Sequence, residues 1–300
     1  MHMIRTDLAV ESEALRRGQS ADGASALPGV RARRERRDGF SVVTVEVLDR
    51  RGEEALGKPR GTYVTVELDA FIRREENAFG AACAVLSGAL RALLKLEKSG
   101  SILVVGLGNR DVTPDAVGPA VVDCTMVTRH LRAQMPDAFG TLRPVAALCS
   151  GVLGTTGIES RDLVRAVTAA LRPDAVIAVD ALASRAPERL CRTVQIADTG
   201  IVPGSGVGNA REALDRGTLG VPVYAVGVPT VVDAATLAAD LAERAGVSRD
   251  PGAFGAAQGL IVTPRDIDRN VRDIAKLIGY SLNLALHDGL TIGDVDLFLS

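Results

Sequence analysis

Two aspartates stand where an acid is chemically conspicuous. Asp115 follows the apolar run Ile102-Leu103-Val104-Val105-Gly106, across the turn-rich stretch Leu107-Gly108-Asn109-Arg110-Asp111-Val112-Thr113-Pro114. Asp180 ends the run Ala175-Val176-Ile177-Ala178-Val179. Short apolar, β-branched runs closed by turn residues read as buried parallel strands. In open α/β sheets, chemistry gathers at the carboxyl ends of such strands, so the two acids are expected to converge on one site. Two adjacent carboxyl groups cannot both ionise cheaply: one keeps a proton and the other is free to act as a base. That is the apparatus of hydrolysis through an activated water, with no metal and no nucleophilic side chain. Asp115 also fits a plainer account, an acid at a helix start favoured by the dipole. Asp180 resists that account, because a carboxylate inside an apolar strand is costly unless paired or used. Asp111 is a weaker third acid that also reads as a turn residue.

Other motifs point elsewhere less well. Gly106-Leu107-Gly108 begins like a dinucleotide fingerprint but lacks the third glycine, and acids sit where a pyrophosphate would lie. The loop Asp198–Asn209 is glycine-dense without the Lys-Ser/Thr of a phosphate loop. It is either a plain surface loop or a wall of the cleft offering backbone hydrogen bonds to an extended peptide. On the second reading Asn109, Gly204, Ser205 and Gly206 are the expected substrate contacts. Ser150 is not in a nucleophile elbow, and neither His130 nor His287 is evidently near it. Cys83, Cys124, Cys149 and Cys191 are scattered with no C-x-x-C pair, so structural zinc is not expected. The site is expected to use no metal and no cofactor.

The elements that must position these acids alternate. Strands are expected over 40–47 and 61–68 as an antiparallel pair, then over 101–106, 145–148, 175–179, 194–196 and 222–228. Helices are expected within 7–17 and over 77–98, 116–132, 159–171 and 234–245. Thr263-Pro264-Arg265-Asp266 reads as a helix start. Behind it Ile267, Val271, Ile274, Ile278 and Leu282 recur at helical spacing as a core-facing stripe. This pattern predicts one doubly wound α/β domain over 39–300, a three-layer sandwich with a mixed, mostly parallel sheet and an N-terminal β-hairpin region. Residues 8–38 are expected to be a mobile segment, with the basic run Arg31–Asp38 solvated ahead of the first strand.

Composition narrows the partners. At 47% hydrophobic with 3% aromatic residues and no Trp, the 300 residues can build a large core, but an aliphatic one. A net charge of −2 gives no electrostatic case for direct nucleic-acid binding. No apolar run approaches the ~20 residues that span a bilayer, and no apolar region follows Met1–Asp7 as in a signal peptide. A cytoplasmic protein without membrane contact is expected.

The chain also resembles a known family. Arg5-Thr6-Asp7-Leu8-Ala9-Val10-Glu11, the segment Gly106–Pro119, Gly154-Thr155-Thr156-Gly157-Ile158-Glu159, Val179-Asp180-Ala181-Leu182-Ala183, the loop Asp198–Asn209 and Gly227-Val228-Pro229-Thr230-Val231-Val232-Asp233-Ala234 are similar, in the same order, to the germination proteases of spore-forming bacteria. The resemblance implies a fold related to hydrogenase maturation proteases. It implies an endopeptidase that starts the degradation of small acid-soluble spore proteins in the spore core, acting as a homotetramer and made as an inactive zymogen. Its active-site acids fall on Asp115 and Asp180. The family cleaves between an acid and a large apolar residue followed by Ala, a variable residue and Glu. Asp7-Leu8-Ala9-Val10-Glu11 is similar to that pattern, which makes 1–7 the expected propeptide and Asp7–Leu8 the expected self-processing bond. Two departures stand out: the stretch between Ala245 and Thr263 is short where Bacillus-type members carry a longer insertion, and so is the segment before Thr6. Two rivals remain, a metal-dependent maturation peptidase on the same fold and a non-catalytic peptide-binding module.

Overall fold

The computed structural model describes residues 5–18, 27–95, 97, 99–208, 211–246, 257 and 259–300. Among them are nine strands: β1 (Val30–Arg37), β2 (Phe40–Val47), β3 (Gly61–Glu67), β4 (Ile102–Leu107), β5 (Val145–Gly151), β6 (Ala175–Ala183), β7 (Thr193–Ala197), β8 (Val223–Asp233) and β9 (Ile261–Val262). They form one mixed sheet in the order β1-β2-β3-β7-β8-β6-β4-β5, with β9 paired to β8. The strands β5, β4, β6 and β8 run parallel, whereas β7 is antiparallel to both β8 and β3 and joins the parallel half to the hairpin β2-β3. The fold is α/β with helices on both faces.

Side-chain alternation divides the core. On one face Ile102, Val104, Ile177, Val179, Val194, Ile196, Val226 and Val228 pack against the helices Ala78–Leu93, Val117–Asp123 and Ile267–Leu286. The predicted stripe Ile267, Val271, Ile274, Ile278 and Leu282 is buried there. On the other face Leu103, Val105, Val176 and Ala178 meet Val164 of the helix Ser160–Leu171. Leu182, Ala197 and Ala225 meet Leu8, Ala9 and Val10 at the head of the N-terminal helix Ala9–Gly18.

Several boundaries differ from the sequence expectation, each for a local reason. The segment 8–38 is not a mobile tail where it is described. It contains the helix Ala9–Gly18 and then β1, which pairs along its whole length with β2. The basic run is therefore an edge strand, and its arginines discourage pairing with another sheet; residues 19–26 lie outside the described residues. The helix expected over 116–132 breaks into Val117–Asp123 and Arg129–Gln134. Asn283, fully buried on the long helix, causes the break: its amide accepts from Met126 N–H at 2.8 Å and donates to Cys124 O at 2.9 Å, taking up groups a continuing helix would pair. Thr263 does not cap a helix but donates to Thr230 O, and the helix starts at Ile267. Strand β6 runs past Asp180 to Ala183, so the acid is inside the strand rather than at its end. Two short helices, Arg50–Leu56 and Ile292–Leu299, were not anticipated. Most of the expected loop 246–260 lies outside the described residues.

One close approach sets the depth of the site. A Cβ on Gly118 would lie 2.2 Å from Leu107 O and 2.6 Å from Val179 O, and one on Gly106 would lie 2.4 Å from Gly118 O. The first turn of helix Val117–Asp123 is thereby laid directly on the ends of β4 and β6. Backbone atoms cannot yield as a flexible side chain would. Gly118→Ala is expected to cost about 3 kcal/mol of stability, read as a lowered urea midpoint; an unchanged midpoint would show that this contact is slack.

Candidate active site

Asp115 reaches the site through a tight wrap of chain. After β4, Gly108 takes φ +104, where a Cβ would lie 2.0 Å from Asp115 O. The chain then turns through Thr113–Asp115, with Pro114 fixing the turn and Pro114 O accepting from the Thr230 hydroxyl at 2.7 Å. The Asp115 carboxylate accepts the Asn109 N–H at 2.7 Å. Burial pushes the Asp115 carboxyl up from its ordinary range, and the Asn109 N–H partly opposes this.

Asp180 sits in β6 with only 5% of its surface exposed and accepts the N–H of Ala181 at 2.9 Å. Burial raises its carboxyl well above the usual range, and the charges of Asp115 and then Asp7 raise it further. Burial and the neighbouring carboxylates thus disfavour the charged form of Asp180. Across the sheet it is in register with Gly227 of β8, and Gly227 is in register with Gln195 of β7. The three positions form one row, and the side chains of Asp180 and Gln195 share a face above a residue with no side chain.

A cleft of about 410 Å³ opens over the acids, lined by Asp115, Asp180, Asn109, Gly204, Gly206 and Asp7 among others. It adjoins a second cavity of about 240 Å³ at Lys58, Tyr63 and Gln195, and Asp7 lines both. The structure thus brings together Asp115 and Asp180 and places Asn109, Gly204 and Gly206 on the same wall. The side chain of Asn109 accepts from Asp111 N–H instead of facing a ligand, while its N–H holds Asp115. Ser205 donates to the Asp7 carboxylate. Asp111 stays exposed outside the cleft. Ser150 donates to Gly151 O. Among the described residues no group of three or more His, Cys, Asp and Glu could hold a metal ion, and no helix is long and apolar enough to cross a membrane.

The chain's own N-terminal segment lies across this cleft. Asp7 pairs with β6 as a short strand would: its N–H donates to Ala183 O at 2.9 Å, and its carboxylate accepts Ala183 N–H at 2.9 Å. Lys58 Nζ donates to Asp7 O at 3.0 Å, and Gln195 Nε2 donates to the same oxygen at 3.2 Å. Leu8 N–H donates to the Thr6 hydroxyl at 3.1 Å, and Ala9 N–H donates to Gln195 Oε1 at 2.7 Å. Leu8 is fully buried. Glu11, also buried, accepts the N–H groups of Arg185 and Ala186 at 2.7 and 3.0 Å and lies 3.6 Å from the Arg189 guanidinium. Lys58, Gln195 and this Glu11 clamp were missed in the sequence. A glutamine inside the apolar strand Thr193–Ala197 was the one available signal, of the same kind that marked Asp180.

Comparison with known proteins places the chain among peptidases. A family model described as germination protease matches residues 6–244. A germination protease of Caldanaerobacter subterraneus subsp. tengcongensis is 42% identical over 96% of this chain and 95% of its own length. One from Clostridium perfringens is 38% identical over the whole of both chains. One from Bacillus subtilis is 45% identical over 80% of this chain and 66% of its own. Among solved structures, a [NiFe] hydrogenase maturation protease HycI from Thermococcus kodakarensis KOD1 is 19% identical with a TM-score of 0.36, covering 65% of this chain and 98% of that one.

The raised carboxyl of Asp180 has a stability consequence. The folded protein binds its proton more tightly than the unfolded chain does. The associated stabilisation is therefore complete below the unfolded value near 3.8 and is lost as pH rises toward the folded value. Asp180→Asn, which cannot ionise, is expected to be more stable than the parent to urea at neutral pH, with the difference closing in acid. A variant less stable at neutral pH would contradict a protonated, desolvated Asp180.

Proposed function

Since this chain belongs to the germination protease family, we propose that it cleaves small acid-soluble spore proteins during germination, is made as a zymogen that cuts its own Asp7–Leu8 bond, and does both with the pair Asp115 and Asp180. The observation that carries the reading is the N-terminal segment itself. An acid–Leu–Ala–x–Glu stretch lies in the cleft with its acid beside Asp180, its leucine and alanine buried and its glutamate clamped. A substrate of the same pattern would find each of these contacts.

In this mechanism Asp115, the acid whose charge the Asn109 N–H stabilises, takes a proton from water as the water oxygen attacks the Asp7 carbonyl carbon. Asp180 supplies the proton that the departing Leu8 nitrogen needs. The carbon–nitrogen bond breaks, leaving the Asp7 carboxylate and the Leu8 amine. The pair exchanges roles as it resets, so its two macroscopic titrations belong to both residues together. A tetrameric assembly and a spore-core location belong to the same proposal and rest on family membership.

Three measurements test it. Intact mass spectrometry of the full chain on incubation is expected to show loss of residues 1–7, and Asp180→Asn is expected to abolish that loss while retaining its far-ultraviolet circular dichroism. A chain beginning at Leu8, mixed with a small acid-soluble spore protein, is expected to cut after the acid of each acid–apolar–Ala–x–Glu site. Because one acid must be protonated and the other ionised, the rate is expected to be bell-shaped in pH; a profile flat from about pH 5 to pH 8 would count against the pair.

A further inference from the structure

Self-processing would make the Asp7 carbonyl the group under attack, and two donors already hold its oxygen. Lys58 Nζ stands 3.0 Å from it and Gln195 Nε2 stands 3.2 Å from it. We infer that Lys58 and Gln195 are the oxyanion hole of this peptidase, receiving the negative charge that develops on the carbonyl oxygen of the residue before the cut. The inference rests on the reading that Asp7–Leu8 is a scissile bond, and it adds two catalytic residues to the aspartate pair.

The arrangement around each donor fits that role better than a simple tether. Gln195 cannot present its oxygen to the carbonyl, because its Oε1 is taken by Ala9 N–H at 2.7 Å. One buried amide therefore grips the chain on both sides of the Asp7–Leu8 bond, donating to the carbonyl before it and accepting the N–H two residues on. Its place in the sheet explains the reach. Gln195 and Asp180 lie in one row with Gly227 between them, so their backbones stand two strand spacings apart, roughly 10 Å. Asp7 lines both the cavity that holds Gln195 and the cleft that holds Asp180, so its carbonyl is offered to the amide from one side while the acid's cleft opens on the other.

Lys58 lies just after Gly57, whose φ of 70 ends the helix Arg50–Leu56. Its polar contacts among the described residues are the carbonyls of Thr6, at 3.4 Å, and Asp7, and no ion pair is formed there. Burial pulls its ammonium pKa down, while Asp7 and Glu11 push it back up. A partly buried cation facing a neutral carbonyl gains most when that carbonyl becomes an anion, which happens only in the transition state. The chemistry also balances more simply. With the oxygen held by Lys58 and Gln195, Asp180 need not protonate it, and its proton goes to the Leu8 nitrogen when the tetrahedral species collapses.

The test uses the full-length chain and the first-order rate at which Asp7–Leu8 is cut, followed by intact mass, beside hydrogen exchange of the amides in Ala9–Gly18. Gln195→Glu keeps an acceptor for Ala9 N–H and replaces the donor to Asp7 O with a carboxyl oxygen. Lys58→Met removes the ammonium, and Lys58→Arg restores a cation if the methionine variant fails to fold. Gln195→Glu and Lys58→Met are each expected to slow cutting about 10²–10³-fold, with exchange protection of the helix unchanged; Lys58→Arg is expected to recover part of the rate. Rates within about threefold of the parent, or losses matched by loss of helix protection, would reduce both residues to anchors and overturn the inference. A folded parent chain that never cuts itself would instead remove the self-processing reading, and this one with it.

Discussion

A carboxyl group lodged in a strand of fully buried aliphatic residues governs the architecture. Asp180 continues a run in which Ala175 through Val179 have no exposed surface. A charge there would cost several kcal/mol, and one N–H from Ala181 does not offset it. Its charged form is therefore disfavoured, and the surroundings place a second acid against it. The helix after Asp115 is seated on the strand ends through Gly106 and Gly118, the partner acid is delivered by a turn that Gly108 makes at positive φ, and Leu182 packs over the bare backbone of Gly227 beside it. Each glycine is explained by the space or conformation at its own position, and together they bring two carboxyls into one cleft.

The N-terminal segment completes this surface rather than decorating it. Leu8, Ala9 and Val10 fill the apolar ground between Leu182, Ala197 and Ala225, where burying a large aliphatic side chain contributes about 1.5–3 kcal/mol. Further out, Glu13 is bracketed by Arg17 of its own helix and Arg34 of β1, which ties the helix to the sheet edge. The strand register explains why polar groups recur in one row: Asp180 of β6, Gln195 of β7 and Thr65 of β3 lie on a single line across the sheet, with Gly227 of β8 between the first two, and their side chains share one face.

Much of this was legible in the residues. The alternating order of elements, the helical stripe from Ile267 and the misplaced acid at Asp180 rest on periodicity and burial cost, which are local and need no tertiary information. The strand-end reading reached Asp115 as well, and the family motifs added the expected Asp7–Leu8 bond. What escaped was long-range. Nothing near Cys124 announces that Asn283 will interrupt its helix. The arginines of 31–37 have the composition of a solvated run, and only the pairing partner β2 makes them a strand. Lys58 lies in a polar stretch like any surface lysine, and only the fold lays Asp7 upon it from elsewhere in the chain.

That last contact has a kinetic side. Gln195 meets Asp7 across 188 residues of sequence, and Asp7 is held besides by Ala183. Loops of that length close late and add to the contact order that slows folding. At synthesis rates of roughly 5–20 residues per second, the two halves of the site leave the ribosome on the order of ten seconds or more apart. On the proposed self-processing, the Asp7–Leu8 bond stays intact until the central strands are joined, and its severed end is a record that folding has finished.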